Sequence, residues 1–138
     1  MHLLVALDDS EPGWAALEFA CDEHADDEVT AVHAVDPTDS GYGEVAHLGP
    51  DVLMERQQEA GQELLATAED RAADDGCPIE TELVIGQPAD AIVDYAAANA
   101  VDRIVVGSHG RTGFSRVLLG SVAEQIARQA PVPVTIVR

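Results

Sequence analysis

The sequence predicts an α/β fold: a single, doubly wound, open parallel sheet of five strands, Rossmann-like in architecture. Short apolar runs rich in β-branched residues alternate along the chain with longer segments of helical periodicity, which is typical of parallel strands joined by right-handed crossovers. The length of 138 residues fits one domain, residues 1–138. Hydrophobic residues make up 46% of the chain but aromatic residues only 4%, so the core is expected to be aliphatic.

The first half of the chain predicts two strands, each followed by a helix. Leu3–Leu7 and Val29–Val35 are the strands. Ser10 precedes Glu11-Pro12 and is the expected N-cap of the first helix. The second helix is expected from Asp51 to about Asp75, where Gly76 ends it. Residues 36–50, with two prolines and three glycines, are predicted to form the one long irregular connection.

The second half continues the same alternation. The predicted elements are a strand at Ile79–Ile85, a helix at Ala89–Asn99, a strand at Ile104–Val106, a helix that begins with Ser121 as N-cap, and a last strand at Val132–Val137. Pro133 has no N–H to give to a ladder, which predicts that the last strand lies at an edge of the sheet.

Composition excludes several classes of partner. The net charge is −19, the pI is about 4.2 and there is no lysine, a pattern typical of adaptation to high salt. Because nucleic acids and anionic membranes are themselves negatively charged, we do not expect such a chain to bind them. No apolar run approaches the roughly 20 residues of a membrane span, and the N-terminus lacks the features of a signal peptide, so we expect a cytoplasmic protein.

The two cysteines give no recognisable motif. Cys21 and Cys77 stand without a CxxC pattern or paired histidines, so neither a zinc site nor a disulfide is indicated. We expect both to be small buried hydrophobic residues.

Positive charge is concentrated after residue 102. Residues 103–138 contain five arginines and one acid, a charge of +4, whereas residues 1–102 contain two arginines and 25 acids, a charge of −23. In the same stretch a strand ends at Gly107, further glycines follow, and a helix begins near Ser121. This arrangement offers backbone N–H groups and a helix N-terminus to a phosphate. The alternative is an ordinary surface loop whose arginines keep the last helix hydrated.

The segment GSHGRTGFSRVLLGS, residues 107–121, resembles the motif of the nucleotide-binding branch of the universal stress protein family. That motif is Gly, two residues, Gly, nine residues, Gly, then Ser or Thr. The opening LLVALDDSEPGWAAL and the segments HAVDP, GQPADAIVDYA and PVPVTIV resemble the family as well. The resemblance implies strand order 3-2-1-4-5, ATP or another adenine nucleotide as ligand, and a homodimer through Val132–Val137. Because ATP usually carries a divalent metal, Mg²⁺ or Mn²⁺ could accompany it.

The resemblance also implies individual roles. Asp8 would hold the ribose hydroxyls, and the backbone of Ala34 would meet the adenine edge. The phosphates would be bound by Gly107, Gly110, Gly120, Ser121 and Val122. Apart from the resemblance, Arg111 and Arg116 could reach the phosphates, and the alternative is that both stay in solvent. The alternative for Asp8 is a carboxylate that caps the first helix. Asp9 departs from the small residue common at this position in the family and adds a second negative charge.

Two histidines are interpreted as structural. His109 lies inside the glycine loop and is expected to be exposed to solvent, because no Asp or Ser pattern completes a catalytic triad. His33 lies within the second strand and is expected to be a satisfied interior histidine.

The leading hypothesis is an adenine-nucleotide-binding regulatory protein of the stress response, a homodimer with an unidentified protein partner. The alternatives are a slow ATPase or phosphotransferase, and a dimerising adaptor without nucleotide. The glycine loop lacks the GK[ST] of a P-loop and no lysine is available to bridge phosphates, which favours binding over hydrolysis.

Overall fold

The computed structural model describes residues 1–38, 49–108 and 119–138. In these residues strands and helices alternate along the chain. The strands are β1 (His2–Ala6), β2 (Glu28–Val35), β3 (Glu80–Ile85), β4 (Arg103–Gly107) and β5 (Val134–Val137). The helices are α1 (Glu11–Glu23), α2 (Pro50–Asp74), α3 (Pro88–Ala98) and α4 (Ser121–Gln129). Most of the predicted connection at residues 36–50 lies outside the described residues. The same is true of His109, Gly110 and Arg111.

The strands form one parallel sheet in the order β3-β2-β1-β4-β5, which confirms the predicted fold class. Leu4, in the middle of β1, pairs with Thr30 of β2 on one side and with Ile104 of β4 on the other. The chain therefore adds strands to one side of β1 up to β3 and then crosses to the other side for β4. Parallel sheets bind ligands at the carboxyl ends of the strands where this reversal occurs, which here is between β1 and β4.

The helices cover both faces of the sheet and create two aliphatic cores. On one face, α1 and α2 pack over Leu3 and Val5, with Leu65 of α2 fully buried among them. On the other face, α3 and α4 pack over Leu4 and Ile104. The alternation of neighbouring β1 residues between the two cores is what burial on both faces of a parallel sheet requires.

The ends of the first two helices follow the sequence signals. The hydroxyl of Ser10 accepts a hydrogen bond from the N–H of Gly13 at 3.1 Å, so Ser10 is the N-cap of α1 as predicted. Gly76 has φ of +75° just after α2, a conformation that glycine adopts without the steric cost of a Cβ.

Two predictions about the C-terminal segment are wrong by one or two positions. Ser121 is the first residue of α4, and the N-cap is Gly120, which caps with no side chain. β5 begins at Val134, so Pro133 precedes the strand, where its carbonyl accepts a hydrogen bond from the N–H of Ile104 at 3.0 Å. The edge position of β5 nevertheless holds, because the strand order places it last.

The prediction of two unpaired thiols is also wrong. Cys21 and Cys77 form a disulfide, with their Cα atoms 5.7 Å apart. Cys21 is near the end of α1 and Cys77 follows α2, and the two parallel helices pack on the same face of the sheet, so their ends lie side by side. The expectation that both residues are buried is confirmed, at 7% and 5% exposed.

The helices in residues 1–38, 49–108 and 119–138 include none that is both long and apolar enough to cross a membrane.

Candidate functional site

A cavity of about 720 Å³ opens at the carboxyl edge of the sheet, within the size range of small-molecule sites. Its floor is formed by the ends of β1, β2 and β4, and its walls by the beginnings of α1 and α4 and one side of α2. The cavity therefore lies at the reversal of strand order, where ligands bind in sheets of this kind.

Six of the eight predicted site residues line this cavity. They come from four separate parts of the chain: Asp8, Ala34, Gly107, Gly120, Ser121 and Val122. The other two, Gly110 and Arg111, lie outside the described residues. The fold thus brings together side chains and backbone that are more than 100 positions apart in sequence.

Asp8 is oriented by the first turn of α1. Its carboxylate accepts a hydrogen bond from the hydroxyl of Ser10, which in turn accepts one from the N–H of Gly13. A Cβ at position 13 would lie 2.7 Å from the carbonyl oxygen of Asp8, so only glycine fits there. Asp8 therefore supports the capping residue, and a carboxylate with several lone pairs retains capacity for a ligand.

Gly107 is required by packing as well as by its place at the cavity. A Cβ built on it would lie 2.6 Å from both the carbonyl carbon and the carbonyl oxygen of Pro12. These are backbone atoms, which do not move aside cheaply. The end of β4 therefore approaches the first turn of α1 closely only because residue 107 is glycine.

The N-terminus of α4 faces the same cavity. The N–H of Gly120 donates to the carbonyl of Ser108 at 2.6 Å, which fixes the start of the helix against the end of β4. No side chain caps α4. The first N–H groups of a helix have no partner within the helix, and they carry the positive end of its dipole. This wall is suited to an anion.

The wall formed by α2 contains residues that sequence reasoning missed. The guanidinium of Arg71 lies 4.1 Å from the centre of the Trp14 ring, a cation–π contact between α2 and α1. The indole N–H of Trp14 donates to the carboxylate of Asp9 at 3.3 Å. Trp14 packs against the core on this face of the sheet and also lines the cavity with Arg71. No spacing could have indicated this pair, because the two residues lie on different helices.

His33 also lines the cavity, on the α2 side. Its Nδ1 is 2.9 Å from the carbonyl oxygen of Leu7, so this nitrogen donates the hydrogen bond. The ring lies against Gly61: a Cβ there would be 2.9 Å from Cδ2 of His33 and 2.7 Å from Leu83. The prediction of a satisfied interior histidine therefore holds for Nδ1, and the residue as a whole is half-buried.

The charges at the cavity are mostly negative. Among the described residues that line it, Asp8, Asp9, Asp36 and Glu63 are acidic and Arg71 is basic. The described ranges contain no group of three or more His, Cys, Asp or Glu side chains arranged to hold a metal ion. A ligand with negative charge would therefore need the α4 end of the cavity, away from most of these carboxylates.

Comparison with known proteins gives the family. The family model described as "Universal stress protein family" matches residues 1–138.

A universal stress protein of Methanocaldococcus jannaschii is 35% identical over 138 residues, covering 99% of this chain and 81% of that protein. A solved universal stress protein in complex with cAMP is 29% identical with a TM-score of 0.74, covering 100% of this chain and 97% of the other. The Archaeoglobus fulgidus universal stress protein in complex with dAMP is 25% identical with a TM-score of 0.70, covering 100% and 98%. A match over the full length, together with the same sheet order, shows that this chain belongs to the universal stress protein family.

Proposed function

We propose that this protein binds an adenine nucleotide in the cavity between β1 and β4 and acts as a regulatory protein of the stress response. The observation that carries the proposal is the convergence of Asp8, Ala34 and the uncapped start of α4 on one cavity. Relatives that cover the whole chain hold cAMP and dAMP, which are both adenine nucleotides.

The arrangement supports one orientation of the ligand. The start of α4 is the part of the cavity suited to phosphate, because its first residues line the cavity and the first N–H groups of a helix have no partner within the helix. Asp8 follows β1, which lies between β2 and β4 in the sheet, and a carboxylate there can accept hydrogen bonds from two ribose hydroxyls. The base would then lie on the far side, against Ala34, His33 and the wall of α2.

We further propose that ATP is among the ligands and that Mg²⁺ or Mn²⁺ enters with its phosphates. The hydroxyl of Ser121, in the first turn of α4, would be the protein's contact to such an ion. The ion would supply positive charge against the phosphates. The chain has no lysine to add to it, and no base is identifiable that would position a water, so we expect turnover well below about 1 s⁻¹.

Calorimetry with AMP, cAMP and ATP on the purified protein tests the proposal. We expect binding that Asp8→Ala weakens at least about tenfold, since one charged hydrogen-bond partner contributes roughly 1.5–3 kcal/mol. Asp22→Ala is the matched control, because Asp22 is an exposed acid of α1 outside the cavity.

The outcome also separates the alternatives. If the protein binds no nucleotide and releases none when it is heat-denatured, the hypothesis of a dimerising adaptor without nucleotide would be favoured. Phosphate release above about 1 s⁻¹ that Ser121→Ala abolishes would establish the ATPase.

A homodimer through the C-terminal segment is part of the proposal. β5 lies at an edge of the sheet, and its four residues, Val134–Val137, are all only half-buried within one chain. An apolar strand edge is normally paired or covered, and a second copy about a two-fold axis would do so. We also propose a protein partner that reads the nucleotide state, and capture from a cell extract with and without nucleotide tests for it.

A further inference from the structure

We propose that the disulfide between Cys21 and Cys77 regulates the nucleotide site, so that the oxidised protein binds an adenine nucleotide more tightly than the reduced protein does. The inference rests on the proposed function, because it assigns control by redox state to that same site. It follows from the seam between α1 and α2, which the disulfide and the pair of Trp14 with Arg71 both cross.

The first step is how the two helices are held to each other. α1 packs mainly on β1 and β4, whereas α2 packs mainly on β2 and β3, so the helices meet along a narrow seam. The disulfide joins α1 to the segment that follows α2, with Cα atoms 5.7 Å apart. The guanidinium of Arg71, on α2, lies 4.1 Å from the centre of the Trp14 ring, on α1.

The second step is the spacing of these two links. Trp14 and Cys21 are two helical turns apart on α1, so they lie on the same side of the helix, about 10 Å from each other along its axis. Arg71 is in the last turn of α2, shortly before Cys77. The disulfide therefore keeps the end of α2 beside α1. Without it, Arg71 would be held to Trp14 by a cation–π contact at an exposed position, which is a weak interaction.

The third step is the connection to the cavity. Trp14 and Arg71 both line it, whereas Cys21 and Cys77 do not. The disulfide can therefore act on a bound nucleotide only through the position of the two helices. A wall that is already in place binds a ligand more tightly than a wall that the ligand must order, because the ordering opposes binding.

The fourth step is the exchange reaction itself. A thiolate of a dithiol reductant attacks one sulfur of the disulfide, the S–S bond breaks, and a mixed disulfide forms. The second thiol of the reductant then attacks its own sulfur in the mixed disulfide and releases the cysteine. The protein gains two electrons and two protons in all, and the reductant leaves as a disulfide. Oxidation is the reverse exchange with a small disulfide.

Access to the buried cysteines requires only a local opening. Gly76 and Pro78, on either side of Cys77, are exposed, and the three residues belong to the short connection between α2 and β3. Redox sensing is also the usual role of the disulfides that do form in reducing compartments. A regulatory disulfide is therefore compatible with the predicted cytoplasmic location.

Calorimetry with AMP on the oxidised protein, and on protein reduced with dithiothreitol, tests the proposal. We expect reduction to weaken AMP binding about threefold to tenfold, the effect of ordering one or two side chains. The double variant Cys21→Ala and Cys77→Ala should bind like the reduced protein and should not respond to dithiothreitol. Circular dichroism in about 2 M KCl, which screens the repulsion between carboxylates, checks that every form is folded during the titration.

Arg71→Met separates coupling through the wall from a general loss of stability. Without the guanidinium, the contact with Trp14 is absent in both redox states, so their AMP affinities should differ by less than about twofold. Arg71→Lys keeps a cation for the ring and should restore most of the difference. Arg56→Met is the matched control on α2 and should keep the full response, because Arg56 is exposed and does not line the cavity.

A second measurement needs no variant. Coupling between two equilibria is reciprocal, so AMP must stabilise the disulfide by the same factor by which the disulfide strengthens AMP binding. Wild type is equilibrated with mixtures of reduced and oxidised dithiothreitol, and the free thiols are then counted by alkylation. Saturating AMP should raise the ratio of reduced to oxidised dithiothreitol at half-reduction about threefold to tenfold.

Each outcome decides the matter. Equal AMP affinities of the oxidised and reduced protein, a redox midpoint that AMP leaves unchanged, or a full redox response in Arg71→Met would overturn this coupling and leave nucleotide binding intact. A reduced protein that unfolds outright would show a purely structural disulfide and would also overturn it. Failure of AMP to bind either redox form would instead overturn the proposed function, and this inference with it.

Discussion

At the scale of single residues, glycines determine how closely the parts of the site approach each other. Gly13 makes room for Asp8, Gly61 for the ring of His33, and Gly107 for the backbone of Pro12. The sequence drew attention to Gly107 because of its place in a phosphate motif. Its contact with Pro12 is a tertiary one, so no local pattern could indicate it.

Gly107→Ala is expected to lower the free energy of unfolding by about 1–3 kcal/mol, as overpacking of a buried position does. The new methyl group would meet backbone atoms of Pro12 at 2.6 Å, and either β4 or the start of α1 must shift. Urea unfolding followed by circular dichroism measures the loss.

Gly49→Ala is the matched control for this measurement. Among the described residues, no atom lies within 4 Å of a Cβ at position 49, and we expect a loss of less than about 1 kcal/mol, from the weaker N-cap. A Gly107→Ala protein as stable as wild type would contradict the packing argument.

At the scale of elements, the disulfide ties α1 to the segment after α2. The bond joins residues 56 positions apart and thereby encloses β2 and α2 in a covalent loop. Its presence could not be predicted from spacing, because it depends on two helices being neighbours on one face of the sheet. Disulfides are uncommon in reducing compartments such as the cytoplasm. The disulfide therefore gives no support to the predicted cytoplasmic location, which stays a prediction.

Reduction of the disulfide is expected to lower the free energy of unfolding. Closing a loop of this length contributes about 4 kcal/mol on a chain-entropy estimate. Thermal melts with and without a reductant measure the effect on wild type. The double variant Cys21→Ala and Cys77→Ala should melt at the same temperature in both conditions, and a wild type equally indifferent to reductant would contradict the prediction.

The helix ends that the sequence predicted correctly are those that depend on local signals. Ser10 and Gly76 mark helix ends by their own side chain or backbone, and both were predicted correctly. The N-cap of α4 was predicted one position too late, at Ser121 and not at Gly120, because a glycine next to a serine offers two candidates for the cap. The pairs Trp14 with Arg71 and His33 with Gly61 require knowledge of which helices touch.

At the scale of the whole molecule, charge is the dominant property. A net charge of −19 on 138 residues opposes compaction, and salt screens the repulsion. We expect the melting temperature to rise by at least about 5 °C between 0.1 M and 2 M KCl, roughly 1–2 kcal/mol for a chain of this size. Equal melting temperatures would remove the argument for adaptation to high salt.

Assembly is the second property at this scale. Sedimentation of wild type should give a dimer, and truncation after Pro131, which removes β5, should give a monomer or an aggregate. A wild type that sediments as a monomer, or a truncated protein that remains a dimer, would refute β5 as the interface.

The pairing of Trp14 with Arg71 has a practical consequence. Trp14 is the one tryptophan in the sequence, and its indole lies at the wall of the cavity with a guanidinium on its face. All of the protein's tryptophan fluorescence therefore originates at the site where we expect the nucleotide. The binding of unlabelled ligands can therefore be titrated by the change in Trp14 fluorescence, and their affinities compared without a label.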